Sequence, residues 1–318
     1  MSLLVLFTGI IVSLIVGGLL VRFEHLHARF SSDVPASGPQ KCHGRPIPRV
    51  GGVAIVAGFL AALWVACLVG MLEIRFAWIF GLCVAPAVLS GLIEDLSKRI
   101  GPDIRLWASF LSALLAVGFF HVSLRGVDVP GLDNLLSWYP LALVFTVVGI
   151  GGVAHSINII DGCNGLAGGV AVMVLAALAC VSWQVGDPAL VAISLALMAA
   201  TLGFLPWNFP KARLFAGDGG AYLWGVSSGI VAVLLLHRHP EVSPWFPLAL
   251  LIYPVFEMLF SIYRRRVKRS AAGQPDARHL HQLIYRRLLP SRLNGVAVTA
   301  ASRNCATSPL LWILAAST

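Results

Sequence analysis

Residues 138–165 read WYPLALVFTVVGIGGVAHSINIIDGCNG, an apolar stretch that breaks into a polar, glycine-bearing turn. From Trp138 to Ile157 no Asp, Glu, Lys or Arg interrupts it. As a helix, a run of about 20 such residues crosses a hydrocarbon layer of roughly 30 Å. The turn that follows, Asn158 to Gly165, contains the ordinary turn pairs Asp-Gly and Asn-Gly. It also carries two side chains, Asn158 and Asp161, that a turn does not require.

The same alternation recurs along the chain. Further apolar runs lie at Leu3–Val21, Val50–Gly70, Phe76–Ile93, Ile104–Val122, Leu166–Gln184, Ala189–Pro206, Ala221–Leu236 and Trp245–Tyr263, making nine with Trp138–Ile157. Segments after the odd-numbered runs hold Pro48-Arg49-Val50-Gly51-Gly52, Glu94-Asp95, the Asn158 turn, Phe215-Ala216-Gly217-Asp218-Gly219-Gly220 and His279-Leu280-His281. Segments after the even-numbered runs hold nothing comparable. With 58% hydrophobic and 12% charged residues, the composition is far from the roughly 25% charged of soluble domains. The expected fold is all-α: a polytopic membrane helix bundle of about nine full spans, with Ser308–Ala316 as a partial tenth. One membrane domain over residues 1–318 uses up the length, leaving no soluble module.

Of 23 Lys and Arg, 20 fall on the motif side and only Arg75, Arg125 and Arg238 on the other. The positive-inside rule places the motifs in the cytoplasm and the N-terminus outside. This bias, with attraction to anionic lipid heads, accounts for the net charge of +9 without nucleic acid. The first run lacks the basic start and small-residue cleavage site of a signal peptide, so it reads as a retained helix. The six cysteines have no paired metal spacing and, in spans or on the cytoplasmic side, are not expected to form disulfides.

Asp218 between glycines opens the eighth run, where free N–H groups and the helix dipole favour anions. It reads either as an N-cap or as a magnesium ligand at a diphosphate site. The adjacent carboxylates Glu94 and Asp95, with Lys98 three residues on, are either solvated in a loop or part of a metal–phosphate cradle. Residues 264–305 read as a cytoplasmic basic loop. From Asp276, Leu280, Leu283, Ile284 and Leu288 recur as one face of an interfacial amphipathic helix, with Arg278, His281 and Tyr285 on another. Residues two apart on a helix do not share a face, so His279 and His281 make a poor zinc pair. Glu257, an acid inside the ninth run, needs a partner.

Together these motifs resemble the polyprenyl-phosphate N-acetylhexosamine-1-phosphate transferases, glycosyltransferase family 4, across nearly the whole chain. His43 to Gly52 is similar to that family's first cytoplasmic loop, Glu94-Asp95 to its acidic pair, and Asn158–Gly169 to its Asn-x-x-Asp-Gly segment. Asn208–Gly220 is similar to its uridine- and metal-binding loop, and His279-Leu280-His281 to its histidine loop. The resemblance implies a phosphoglycosyltransferase: a sugar 1-phosphate passes from a UDP-N-acetylhexosamine or related UDP-amino sugar to undecaprenyl phosphate, and UMP leaves. It implies catalytic roles for Glu94, Asp95, Asp161, Asp218, His279 and His281. Substrate binding would fall to His43, Arg49, Lys98, Asn158, Asn208, Phe215 and Gly217, and Mg2+ (or Mn2+) to Asp218 and Asp95. It also implies the bacterial inner membrane, with the active site on its cytoplasmic face; a homodimer is compatible with it.

Two departures bear on the branch. Glu94-Asp95 stands where the family usually has Asp-Asp, and Gln282 stands where several relatives carry histidine. The triple-histidine form of the peptidoglycan-precursor branch is absent, which favours enzymes that initiate O-antigen, capsule or other surface polysaccharide. Attack on phosphorus is expected to be direct and in line, with an aspartyl-phosphate on Asp95 or Asp161 as the other route. The competing reading is a membrane carrier of lipid-linked sugars. Carriers place ionisable groups near the bilayer midplane, whereas here only His155 and Glu257 lie inside runs.

Overall fold

The computed structural model describes residues 1–33, 46–267, 279–289, 292–293, 296–297 and 299–317. Its helices are α1 (Ser2–Arg22), α2 (Glu24–Ser31), α3 (Gly51–Leu68), α4 (Ile74–Ser97), α5 (Pro102–Phe120), α6 (Leu132–Leu136) and α7 (Tyr139–Ile160). They continue as α8 (Leu166–Gln184), α9 (Pro188–Asn208), α10 (Gly217–Arg238), α11 (Trp245–Leu250), α12 (Ile252–Val267), α13 (Leu280–Leu283) and α14 (Ala300–Ala316). A π-helical turn, Ile284–Leu288, follows α13. Two short antiparallel pairs, β1 (Ser32–Asp33) with β2 (Ile47–Pro48) and β3 (Arg292–Leu293) with β4 (Val296–Ala297), are the strands among the described residues.

The protein is a multi-pass membrane helix bundle. Eight helices among the described residues are long and apolar enough to cross a membrane: α1, α3, α4, α5, α7, α8, α9 and α10. The ninth apolar run does not form one helix. It divides at Leu251 into α11 of 6 residues and α12 of 16. Pro254 lacks the N–H that would bind the carbonyl of Leu250, so the helix is interrupted just there. The partial tenth run belongs to α14, which packs on α8.

Helices apolar all round sort their faces by side-chain size, because lipid tails are as apolar as leucine. On α1, Val5, Gly9, Ser13 and Gly17 are buried against α3 and α9, while Phe7, Ile11 and Ile15 face outward. The centre is α10, with 94% of its apolar window buried and neighbours on α3, α4, α5, α7, α8 and α9. Its one buried indole donor, Trp224, is satisfied by the Thr201 hydroxyl at 2.8 Å.

The far end of α10 is tied by ions. Asp187 caps α9 by accepting the Leu190 N–H at 3.0 Å and pairs with Arg238 at 2.9 Å. Burial alone would raise its carboxyl, but Arg238, the Leu190 N–H and His239 outweigh that and hold it below the usual carboxylate range. Asp218 stands at the other end of the same helix, about 30 Å away at 1.5 Å per residue.

Candidate active site

Four of the residues singled out from sequence sit in the end turns of long helices, past the point where hydropathy stops. Asp95 lies in the last turn of α4, Asn158 in that of α7, Asn208 ends α9, and Asp218 is the second residue of α10. The acidic pair is therefore helical, not a solvated loop. Rigid elements hold such groups with less positional spread than loops do.

The N-terminus of α10 shows how the parts lock. Its N-cap position is Ala216, which has no side chain to accept the free N–H groups. Asp95 from α4 does this in trans: its Oδ1 accepts the N–H of Asp218 and its Oδ2 that of Gly219, both at 2.9 Å. The capping acid is thus Asp95, and Asp218 is left free to point elsewhere. Gly217 takes φ +72°, and a Cβ there would strike the Arg49 carbonyl and the Asp95 carboxylate, so glycine is required on both counts.

Asp218 is buried, and its carboxylate gathers three donors. Oδ1 accepts from Arg49 Nη2 at 2.9 Å and from Asn158 Nδ2 at 3.0 Å. Oδ2 accepts from Arg105 on α5. Arg49 also lies 3.6 Å from Asp95. Asp161, just beyond α7, joins the same electrostatic group: burial pushes its carboxyl up to about 6 against the opposing pull of Arg49. Arg105 was missed from sequence, where it counted only toward the charge bias. The available signal was an arginine one turn into a membrane helix, which demands an acidic partner inside the bundle.

Other candidates hold up the frame of this cluster. Glu94 Oε2 accepts the Ile100 N–H at 2.7 Å, closing the α4–α5 turn. Lys98 adopts the left-handed conformation that ends α4, and its Nζ donates to the Ser32 carbonyl at 2.6 Å. Asn208 Oδ1 accepts the Gly165 N–H at 2.6 Å while its Nδ2 donates to the Leu214 carbonyl at 2.9 Å, joining the α7–α8 turn to the α9–α10 connection. Phe215 is half-buried and ties that connection to the first loop: its N–H donates to Pro48, and its carbonyl accepts from Gly51, each at 2.8 Å. His43 lies outside the described residues.

The histidine segment departs from the expected surface helix. The expected start at Asp276 lies outside the described residues, and His279 is an extended N-cap with α13 beginning only at Leu280. The two imidazoles therefore stack, their centroids 5.5 Å apart and planes 4° from parallel. His281, Gln282 and Ile284 are buried while Arg286, Arg287 and Leu288 are exposed, so the segment does not divide into the apolar and polar faces of a surface helix. Glu257 is the reason: its carboxylate accepts from His279 Nδ1 at 3.1 Å and from the Leu280 N–H at 2.9 Å. His281 lies against Gly162, where a Cβ would overlap its ring.

Burial, and next the neighbouring His279, push the His281 imidazole down to about 4. An unfolded histidine takes up its proton near 6.5. The docked segment is therefore fully stable above that value and loses stability as pH falls from about 6.5 toward 4. Asp161, raised to about 6, works the other way in this window: its folded-state protonation adds stability as pH falls. His281→Asn should remove the His281 share of that loss, so that the thermal unfolding midpoint falls less between pH 6.5 and 4 than in the wild type; an unchanged slope would contradict the assignment.

The carboxylate oxygens of Asp218 and of Asp95 beside it are chemically hard and suit magnesium, which would take the place of guanidinium or amide donors that hold Asp218 here. Among the described residues no three His, Cys, Asp or Glu converge closely enough to hold a metal by themselves. An ion here fits as one shared between one or two carboxylates and substrate phosphates, the usual arrangement for magnesium.

Comparison with known proteins places this architecture. The model of the family described as "Glycosyl transferase family 4" matches residues 77–236, half of the chain, which include Asp95, Arg105, Asn158, Asp161, Asn208 and Asp218. The chain belongs to glycosyl transferase family 4. Its relatives are named as transferases of the kind the motifs led us to expect. It is 30% identical over 248 residues to the "Probable undecaprenyl-phosphate N-acetylglucosaminyl 1-phosphate transferase" of Bacillus subtilis, covering 76% of this chain and 66% of that protein. It is 26% identical over 316 residues to the "Undecaprenyl-phosphate alpha-N-acetylglucosaminyl 1-phosphate transferase" of Escherichia coli, covering 95% and 82%. The Thermotoga maritima protein of the same name is 29% identical over 249 residues, covering 78% and 72%. This family member thus spans just under two thirds of the Bacillus protein's length.

Proposed function

We propose that this enzyme moves N-acetylhexosamine 1-phosphate from a UDP-sugar to undecaprenyl phosphate at the cytoplasmic face of a bacterial inner membrane, releasing UMP and initiating a surface polysaccharide. The observation that carries the reading is the convergence of Arg49, Arg105, Asn158 and Asp95 on or beside Asp218, at helix ends on the Lys- and Arg-rich side. The relatives, named for N-acetylglucosamine 1-phosphate transfer, support that sugar first among the UDP-amino sugars. Sidedness is supported by the charge bias, which also puts the N-terminus outside.

A lipid phosphate with a second pKa near ~6 is largely dianionic at cytoplasmic pH. It can attack phosphorus with little help from a base, so the protein's task is alignment and charge neutralisation. Arg49 and Arg105 supply fixed positive charge at the reacting phosphates. Asn158 orients the Asp218 carboxylate. Asp95, with both oxygens already engaged, positions Asp218 through the α10 backbone rather than acting as a nucleophile, which favours direct in-line attack. His279, held by Glu257, offers its other ring nitrogen to the diphosphate or sugar. Asp218, with Asp95 behind it, would hold magnesium, which would supply neutralisation of negative charge at the phosphates.

The test is UMP release by purified protein with undecaprenyl phosphate, magnesium and a panel of UDP-sugars. Intact protein that gives no UMP with any sugar would sink the reading. Removal of divalent metal with EDTA should lower release by at least about 10²-fold, with recovery on adding Mg2+ in excess. Unchanged release in EDTA would remove the metal from the scheme.

A further inference from the structure

The turn that carries Asn158 and Asp161 is pinned from behind by the C-terminal helix. Its Asn164 N–H donates to Asn304 Oδ1 of α14 at 2.8 Å, and its Asn164 carbonyl accepts from the Ser308 hydroxyl at 2.6 Å. One turn further along α14, Trp312 Nε1 donates to the Leu166 carbonyl at 3.3 Å. The indole fills the space left by Gly169, where a Cβ would overlap it. The Asn164 side chain meanwhile donates to the Pro210 carbonyl at 3.0 Å. Asn304 and Ser308 are both buried, so these bonds are shielded from competing water.

Surface connections ordinarily leave their backbone groups to solvent. Here both backbone groups of Asn164 are consumed by side chains of a helix about 140 positions away in sequence. An unmade bond at such a buried site costs the desolvation of the orphaned group. α14 also reaches the histidine segment: Arg303 donates to the Tyr285 carbonyl and lies 4.5 Å over the Tyr285 ring. One helix therefore fixes the spacing between the Asn158–Asp161 turn and the segment bearing His279 and His281.

We propose that Asn304, seconded by Ser308, is a positioning residue of the active site, holding the Asn158–Asp161 turn against Asp218 by binding the Asn164 backbone. It touches neither substrate nor reacting atoms. Its effect passes through alignment, where a displacement of about 1 Å can cost 10²-fold in rate. What the position needs is an acceptor oxygen, which separates it from a mere packing role.

The inference rests on the transferase reading for its kinetic arm, so the experiment has an arm that does not. In the whole chain, Asn304→Leu keeps the branched heavy-atom shape and removes the acceptor, and Asn304→Asp keeps the acceptor. Asn304→Leu should lower kcat for UMP release about 10- to 100-fold with KM for the UDP-sugar moving less than about 3-fold. Asn304→Asp should recover most of that loss. Independently, maleimide labelling of buried Cys163 in the turn should speed up at least about 10-fold in Asn304→Leu, as local opening predicts. Labelling of Cys83, buried within α4, should stay slow and so report that the bundle is intact. The proposal fails if Asn304→Leu keeps wild-type kcat, if Asn304→Asp is as impaired as the leucine variant, or if Cys163 labelling is unchanged. If the wild type releases no UMP while Cys163 still responds, the transferase reading falls and the brace stands.

Discussion

Asp218→Asn is expected to lower UMP release by about 10³-fold while leaving the protein folded. The magnitude is that of removing a principal electrostatic contributor from a preorganised site. Asparagine keeps one oxygen for Arg49 or Asn158, but its amide hydrogens then face a guanidinium, donor against donor. The two arginines lose the charge that gathers them, and the hard ligand for a shared ion is gone. Breaking a fully buried ion pair would cost about 3–5 kcal/mol. Arg49 keeps 31% of its side-chain surface and Arg105 18%, so both can turn to water and the stability loss should be nearer 1–2 kcal/mol. The paired measurement is turnover beside the thermal unfolding midpoint. Retained turnover, or loss explained wholly by unfolding, would remove Asp218 from the centre of the scheme.

The second large effect is expected from a methyl group. Gly91 of α4 faces the start of α10, and a Cβ there would stand 2.5 Å from the Gly219 nitrogen and 2.6 Å from the Asp218 carbonyl carbon. Both obstacles are backbone, so no rotamer change relieves them. α4 and α10 must part, which draws Asp95 off the two N–H groups it caps. Overpacking of this kind costs about 1–3 kcal/mol, and more where backbone must move; about 3 kcal/mol is expected, with activity down about 10²-fold. Gly81, on the same helix, meets nothing within 4 Å of an added Cβ. Gly81→Ala should therefore match the wild type in midpoint and turnover. If both variants behave alike, the close approach of α4 and α10 is not what sets the site.

Hydropathy located the spans well because the apolar runs are long and the acids are few. It misjudged their ends for a physical reason: a helix continues wherever backbone bonds and tertiary partners allow, whereas hydropathy stops at the first polar side chain. Asp95, Asn158 and Asp218 all lie in that gap. The ninth run failed differently, since the small hydropathy penalty of Pro254 is swamped by its apolar neighbours while its missing N–H removes a helical hydrogen bond. The acids and glycines of the site were legible as motifs. The pairing of Arg105 with Asp218, 113 positions away, was not, because sequence gives no register between helices. Glu257 announced that it needed a partner without naming His279. The stacked histidines could not be foreseen from a helical wheel, because the first of them is not in the helix.

Setting the reactive acids on helix ends makes their height above the hydrocarbon a matter of counting residues. Asp218 stands on a buried rod whose other end is moored to Asp187. Each residue added between them would lift it by about 1.5 Å and swing it by about 100°. The enzyme thereby measures depth in the membrane with the pitch of α10, and its outward connections are free to vary while that count is not.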